Sequence, residues 1–150
     1  MSRYAEGTSV SVDRSRAEVE AVLHRFGANK FMYYREEDTV ILAFELAGHA
    51  CKLAVHPPDR ALFTRTDSGR TRKQTAADDA WEAEYRRRWR VLVLSLKARL
   101  ESIAAESETF EEAFAGIMLL RSGQTVAENM RSNPALTGVF SAPLMLTEGR

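Results

Sequence analysis

The run Tyr85-Arg86-Arg87-Arg88-Trp89-Arg90 sets four guanidinium groups among aromatic rings. Guanidinium forks hold phosphate oxygens bidentately, and such rings stack on unpaired bases. Just upstream, Arg65, Arg70, Arg72 and Lys73 add cations in a stretch rich in Thr, Ser and Gly. These types in this order predict contact with nucleic acid through Arg65, Arg70, Arg72, Lys73, Arg86, Arg87 and Arg90. A single strand or a nucleoprotein complex is expected, since no recognition-helix pattern for a duplex is present. The competing reading makes Trp81, Tyr85 and Trp89 core residues and pairs the arginines with Glu82, Glu84 and the later glutamates. Four consecutive helical positions span about 300°, so Arg86, Arg87, Arg88 and Arg90 cannot share one side. Binding therefore requires the upstream cations to meet some of them on one solvent-facing surface.

Other chemistries have less support. His49, Cys51 and His56 fall within eight residues, but zinc wants four convergent ligands, or three and a water. On a strand, His49 and Cys51 share a face while His56 points away, and a buried free cysteine behaves as a small hydrophobe. No metal is expected. The chain has no G-x-S-x-G, no phosphate loop ending in Lys-Ser/Thr and no G-x-G-x-x-G, and Glu36-Glu37-Asp38 reads as a solvated turn. Neither an enzyme nor a cofactor is expected.

The elements that must position these residues read as α+β in a single domain over 1–150. Ser15 with Glu18 has the spacing of a capping box, Gly27 of a helix stop, and Val19, Val22, Leu23 and Phe26 form one apolar face between them. Thr8 to Val12 alternates and predicts a short edge strand. Phe31–Tyr34, Thr39–Leu46 and His49–His56 read as antiparallel strands of a three- or four-stranded sheet. With Ala47-Gly48 as a two-residue turn, paired positions sum to 95, which puts Val40, Leu42, Phe44, Leu46, Cys51, Leu53 and Val55 on one face. The other face, with Ile41, Ala43, Glu45, Ala50, Lys52, Ala54 and His56, reads as mostly wet. The first turn admits a two- or a three-residue loop, which place different members of Phe31-Met32-Tyr33-Tyr34 on the core face.

Residues 57–75 read as a basic connecting loop, extended near Leu62–Thr64. A long helix is predicted over Ala76–Ala105 with Thr75 as N-cap, carrying the stripe Trp81, Tyr85, Trp89, Leu92, Leu96, Leu100, Ile103. It is apolar nearly all round at Val91–Leu96, and Ser95, Ala98, Ser102 and Ala105 leave room for a second helix, which allows a homodimer through it. Thr109 with Glu112 and Thr125 with Glu128 are further capping boxes. The first opens a helix with Phe110, Phe114, Ile117 and Met118 buried, the second a short helix closed by Asn133-Pro134. Residues 134–150 read as an irregular tail.

At 150 residues the chain can bury a core without disulfides. Its 21 basic and 21 acidic residues give no net charge, which excludes a strongly basic nucleic-acid binder and an acidic mimic of nucleic acid. Neutrality hides asymmetry: residues 60–99 hold eleven basic groups against five acids, a surplus of six, whereas 101–120 hold five glutamates and no base. One cysteine, no apolar leader segment and no long apolar run predict a cytoplasmic protein with no membrane partner.

The Ser15-Arg16-Ala17-Glu18 helix start, the Phe63-Thr64-Arg65-Thr66 and Ser68-Gly69-Arg70 loop, the helix containing Trp89-Arg90-Val91-Leu92 and Lys97-Ala98-Arg99-Leu100-Glu101, and Gly123-Gln124-Thr125-Val126-Ala127-Glu128 carry a resemblance over most of the chain. It resembles a family of small proteins, of unassigned activity, encoded by bacteriophages and prophages. The resemblance implies a setting, inside a bacterial host cell, where small non-catalytic proteins assist DNA replication or recombination or inhibit host defence. The alternative to nucleic-acid contact is thus a protein–protein inhibitor or adaptor, with Met32 and Tyr34 on the wet sheet face and Phe140 and Leu144 in the tail as interface residues.

Overall fold

A computed structural model describes residues 3–136. Helix α1 (Val12–Arg25) leads into strands β1 (Lys30–Glu36), β2 (Thr39–Leu46) and β3 (His49–Val55); after the 57–73 connection come α2 (Gln74–Ala104), α3 (Phe110–Phe114) and α4 (Val126–Ser132). The strands form one antiparallel sheet in the order β1-β2-β3. The architecture is the expected α+β: α1 and α2 lie on one face of the sheet, and α3 closes one end.

The β2–β3 register is the predicted one, with Leu46 opposite His49, Phe44 opposite Cys51, Leu42 opposite Leu53 and Val40 opposite Val55. Ala47 and Gly48 take φ of 52° and 78°, the two positive values a type I′ hairpin turn needs. The first turn resolves to two residues, because Glu36 faces Thr39, and this sends Phe31 and Tyr33 to the core and Met32 and Tyr34 outward. One outer-face residue departs from expectation: Ile41 is buried at 4% exposure, on the sheet's central strand.

The core joins Val19, Val22 and Leu23 of α1 to Leu42, Phe44 and Cys51 of the sheet and to Trp89, Val93, Leu96 and Leu100 of α2, with Phe114 over the end. Trp89 is fully buried against Tyr33 and Tyr85, at ring separations of 6.3 and 6.4 Å. Of the aromatic residues at the start of the long stripe, Trp89 and Tyr85 are therefore structural, whereas Trp81 lies outside the core cluster. Helix α1 runs alongside α2 in the same direction, since Glu18 meets Arg90 and Lys97 while Arg25 reaches Glu101 at 3.2 Å.

Four local expectations are corrected. Thr8–Val12 is not a strand, and α1 starts earlier than predicted, with Ser11 as N-cap accepting from the Arg14 amide at 3.2 Å. Ser15 is already inside the helix, its own amide bonded to the Ser11 carbonyl, so its box with Glu18 does not form and its hydroxyl is buried without a partner. The 62–64 stretch is a 3₁₀ turn over Arg60–Phe63, capped by the Asp59 carboxylate on the Ala61 amide. Helix α2 begins at Gln74 behind Lys73 with no side-chain cap, leaving Thr75 in its first turn. Both C-terminal capping boxes form as expected at Thr109/Glu112 and Thr125/Glu128. The helix opened by the first is short, and Met118 instead makes a single bridge to the free edge of β3 at Cys51.

Candidate functional site

Three surfaces gather side chains that could recognise a partner. The first lies where the 60–72 connection and the N-terminal segment meet the outer side of α2. Arg3, Arg72, Arg87 and Arg88 converge there on an open groove of about 650 Å³ whose floor is Glu84. Loop and helix cations do meet, but their donors are engaged. Glu84, 8% exposed, takes Nε and Nη2 of Arg87 at 2.8 and 2.9 Å and lies 3.4 Å from Arg3 and 3.5 Å from Arg88. The Arg87 guanidinium bonded to it holds the Glu84 carboxyl below its ordinary range, and the same contact raises Arg87. Arg72 donates to the carbonyls of Phe63 and Arg65 at 3.2 and 2.7 Å, and Arg88 to that of His56 at 2.9 Å. These guanidinium groups tie loop, strand and helix together.

The remaining predicted cations divide. Arg90 faces α1, bonded at 2.5 Å to Glu18, which also binds Lys97. With two cations on it, Lys97 foremost, the Glu18 carboxyl is held below its usual range. Arg86 stands 3.9 Å from Glu82. Arg65, Arg70 and Lys73 are exposed, and among the described residues no carboxylate pairs with their side chains. Arg65 and Arg70 flank a tight turn, bridged at Arg65–Thr71 and closed by the Thr66 amide on the Arg70 carbonyl at 2.8 Å.

The second surface combines aromatic rings and guanidinium groups that are not among the predicted contact residues. Arg35, Arg60, Trp81 and Tyr85 line an open groove of about 550 Å³ beside Asp38 and Asp59. The Arg60 guanidinium lies 4.1 Å above the Trp81 ring, whose Nε1 donates to the Pro58 carbonyl at 2.7 Å. Arg60 also reaches Asp78 at 3.2 Å. The i to i+4 spacing of Trp81 and Tyr85 was visible in the sequence; the approach of Arg60 and Arg35 came from the fold.

The third surface is the outer face of the sheet. Met32 and Tyr34 project from β1 at 57% and 39% exposure. Beside them lie half-buried Ala43 and exposed Ala50 and Ala54, bounded by the ion pairs Lys30–Glu45 at 2.7 Å and Lys52–Glu128 at 3.1 Å. Phe140 and Leu144 lie outside the described residues.

The candidate metal ligands do not converge. Cys51 is fully buried in the core, and burial pushes its thiol up to about 11. His49 stacks on Phe110 at 5.3 Å, and His56 Nδ1 meets the Thr39 hydroxyl at 3.1 Å. Among the described residues no group of His, Cys, Asp and Glu could hold a metal ion, and no helix is long and apolar enough to cross a membrane. No family model, curated protein or solved structure matches the chain.

Proposed function

We propose that this chain is a non-enzymatic protein-binding module, an adaptor or inhibitor that meets a host protein through the outer face of its sheet. The observation that carries this reading is the pair Met32 and Tyr34, exposed two residues apart on the outer face of β1, with Ala43 and the buried Ile41 opposite them on β2. Aromatic and methionine side chains presented together are what interfaces enrich. The resemblance to phage and prophage proteins makes a bacterial defence component the kind of partner to seek. The nucleic-acid reading is weaker on its helix side, because Arg87 and Arg90 are held by Glu84 and Glu18, which leaves Arg86, 3.9 Å from Glu82, as the helix cation least engaged among the three predicted.

Capture from a bacterial lysate on immobilised protein, with and without nuclease, tests this. The expected result is a partner retained after nuclease, weakened by Tyr34→Ala and unaffected by Arg65→Glu with Arg70→Glu. Retention that vanishes with nuclease rejects the reading.

The uncovered Arg65, Arg70 and Lys73 favour one second reading, a weak contact with single-stranded nucleic acid. About three neutralised phosphates give a log-log salt slope near −2. Anisotropy of a labelled oligonucleotide reads this directly; absence of binding at low salt rejects it.

A further inference from the structure

Strand β1 is an edge whose outer side pairs with no described residue. Its hairpin closes on Glu36 and Thr39 across two residues, so Lys30, Met32, Tyr34 and Glu36 point their amides and carbonyls at β2. Phe31, Tyr33 and Arg35 turn theirs outward. Edges of this kind are ordinarily blunted by charged side chains, a proline, a bulge or a short strand, and of these β1 carries only charges, at Lys30, Arg35 and Glu36. Here seven residues pair without interruption and none is proline.

The outer-face row Lys30, Met32, Tyr34, Glu36 is complementary to itself when reversed. We propose that two copies of this chain pair antiparallel along β1, with the two-fold axis at Tyr33, to make one six-stranded sheet. In that register Tyr33 faces Tyr33 of the partner subunit and Phe31 faces Arg35 of the partner subunit, so every outward amide and carbonyl of the strand finds a counterpart. On the outer face Lys30 falls opposite Glu36 of the partner subunit, and Met32 opposite Tyr34 of the partner subunit. Opposite charges and an apolar pair thus recur on each side of the axis.

Sliding by two residues either way leaves five pairs and sets Lys30 opposite a tyrosine or Glu36 opposite a methionine. The inner side agrees with the central register. Phe31 and Tyr33 line an open groove of about 350 Å³ with Asp13, Arg16 and Glu20 of α1, and the incoming Arg35 of the partner subunit arrives at Phe31 on this partly acidic rim. Lys30 already meets Glu45 at 2.7 Å on its own sheet and would then lie between two carboxylates. The pairing leaves the outer face open and doubles the Met32–Tyr34 patch. It does not depend on any third protein.

Sedimentation equilibrium over a dilution series tests the proposal on the full chain. Wild type is expected at twice its 16.9 kDa mass. Glu36→Lys and Lys30→Glu each place like charges across the axis and are each expected to weaken the dimer about tenfold or more. An equimolar mixture of the two restores opposite charges at both positions and is expected to recover the dimer mass. Arg35→Pro removes an outward amide that only the second copy uses, and is expected to give a folded monomer whose melting temperature no longer depends on protein concentration. A wild type that stays monomeric overturns the proposal. So does a dimer that survives both Glu36→Lys and Arg35→Pro, which would place the contact elsewhere, such as along α2, or a mixture of folded variants that fails to associate. Because capture of a host protein is read separately, failure here and failure of the protein-binding reading are distinguishable.

Discussion

Single atoms decide several properties of this protein. The Ser15 hydroxyl is buried between α1 and the core with no hydrogen-bond partner among the described residues. An unpaired buried hydroxyl carries its desolvation cost without return, about 1–3 kcal/mol in mutational data. Ser15→Ala is therefore expected to leave stability unchanged or raise it, by up to about 1 kcal/mol, measured by urea denaturation; a clear loss would mean that the hydroxyl is paired. Cys51 follows the same logic of burial. With its thiol raised to about 11 by desolvation, it is expected to resist alkylating reagents at neutral pH until the chain unfolds. Rapid labelling of the native protein would contradict its place in the core.

Local rules set the elements, and each can be tested where it acts. Ala47 sits at φ 52° ahead of Gly48, a conformation that costs alanine and suits asparagine. Ala47→Asn is expected to raise the melting temperature by a few degrees, equivalent to about 0.5–1 kcal/mol. At α4, the Thr125 hydroxyl accepts from the Glu128 amide at 3.1 Å, while the Glu128 carboxylate takes the Thr125 amide at 2.7 Å and lies 3.1 Å from Lys52. Thr125→Ala is expected to cost about 1–2 kcal/mol, at or above the ordinary cost of a lost cap, because it also loosens the carboxylate that holds α4 to β3. These elements were legible because their signals are short-range. A two-residue turn, an alternation or a box of four residues specifies itself. Ser15 shows the limit: the same Ser-x-x-Glu spacing occurs inside α1, where Ser11 captures the cap and Glu18 is drawn to α2 instead.

At the scale of the molecule, glutamates act as fasteners. Glu18 joins α1 to two cations of α2, and Glu84 joins the N-terminal segment to the arginines of α2. Glu18, Glu84 and Glu128 all have carboxyls held below the ordinary 4.5, so each contributes stability that is present above that value and is lost as pH falls through its lower folded-state value. Thermal melts are expected to fall steeply below about pH 4.5, and Glu18→Gln to lower the neutral-pH melting temperature while flattening that acid slope. An unaltered slope in Glu18→Gln would remove Glu18 from this role.

From its sequence alone the chain determined its α+β class, the β2–β3 register, the long helix with its Trp89 stripe and two of its caps. Each of these depends on residues close together, whose periodicity survives whatever the rest of the chain does. Which arginines are free, by contrast, was decided by tertiary structure. A guanidinium is neutralised by whichever carboxylate packs against it, and Arg90 meets Glu18 across 72 residues of sequence. No local pattern encodes that meeting, so the distribution of usable charge, and with it the surface left to face a partner, emerges only when the helices are laid side by side.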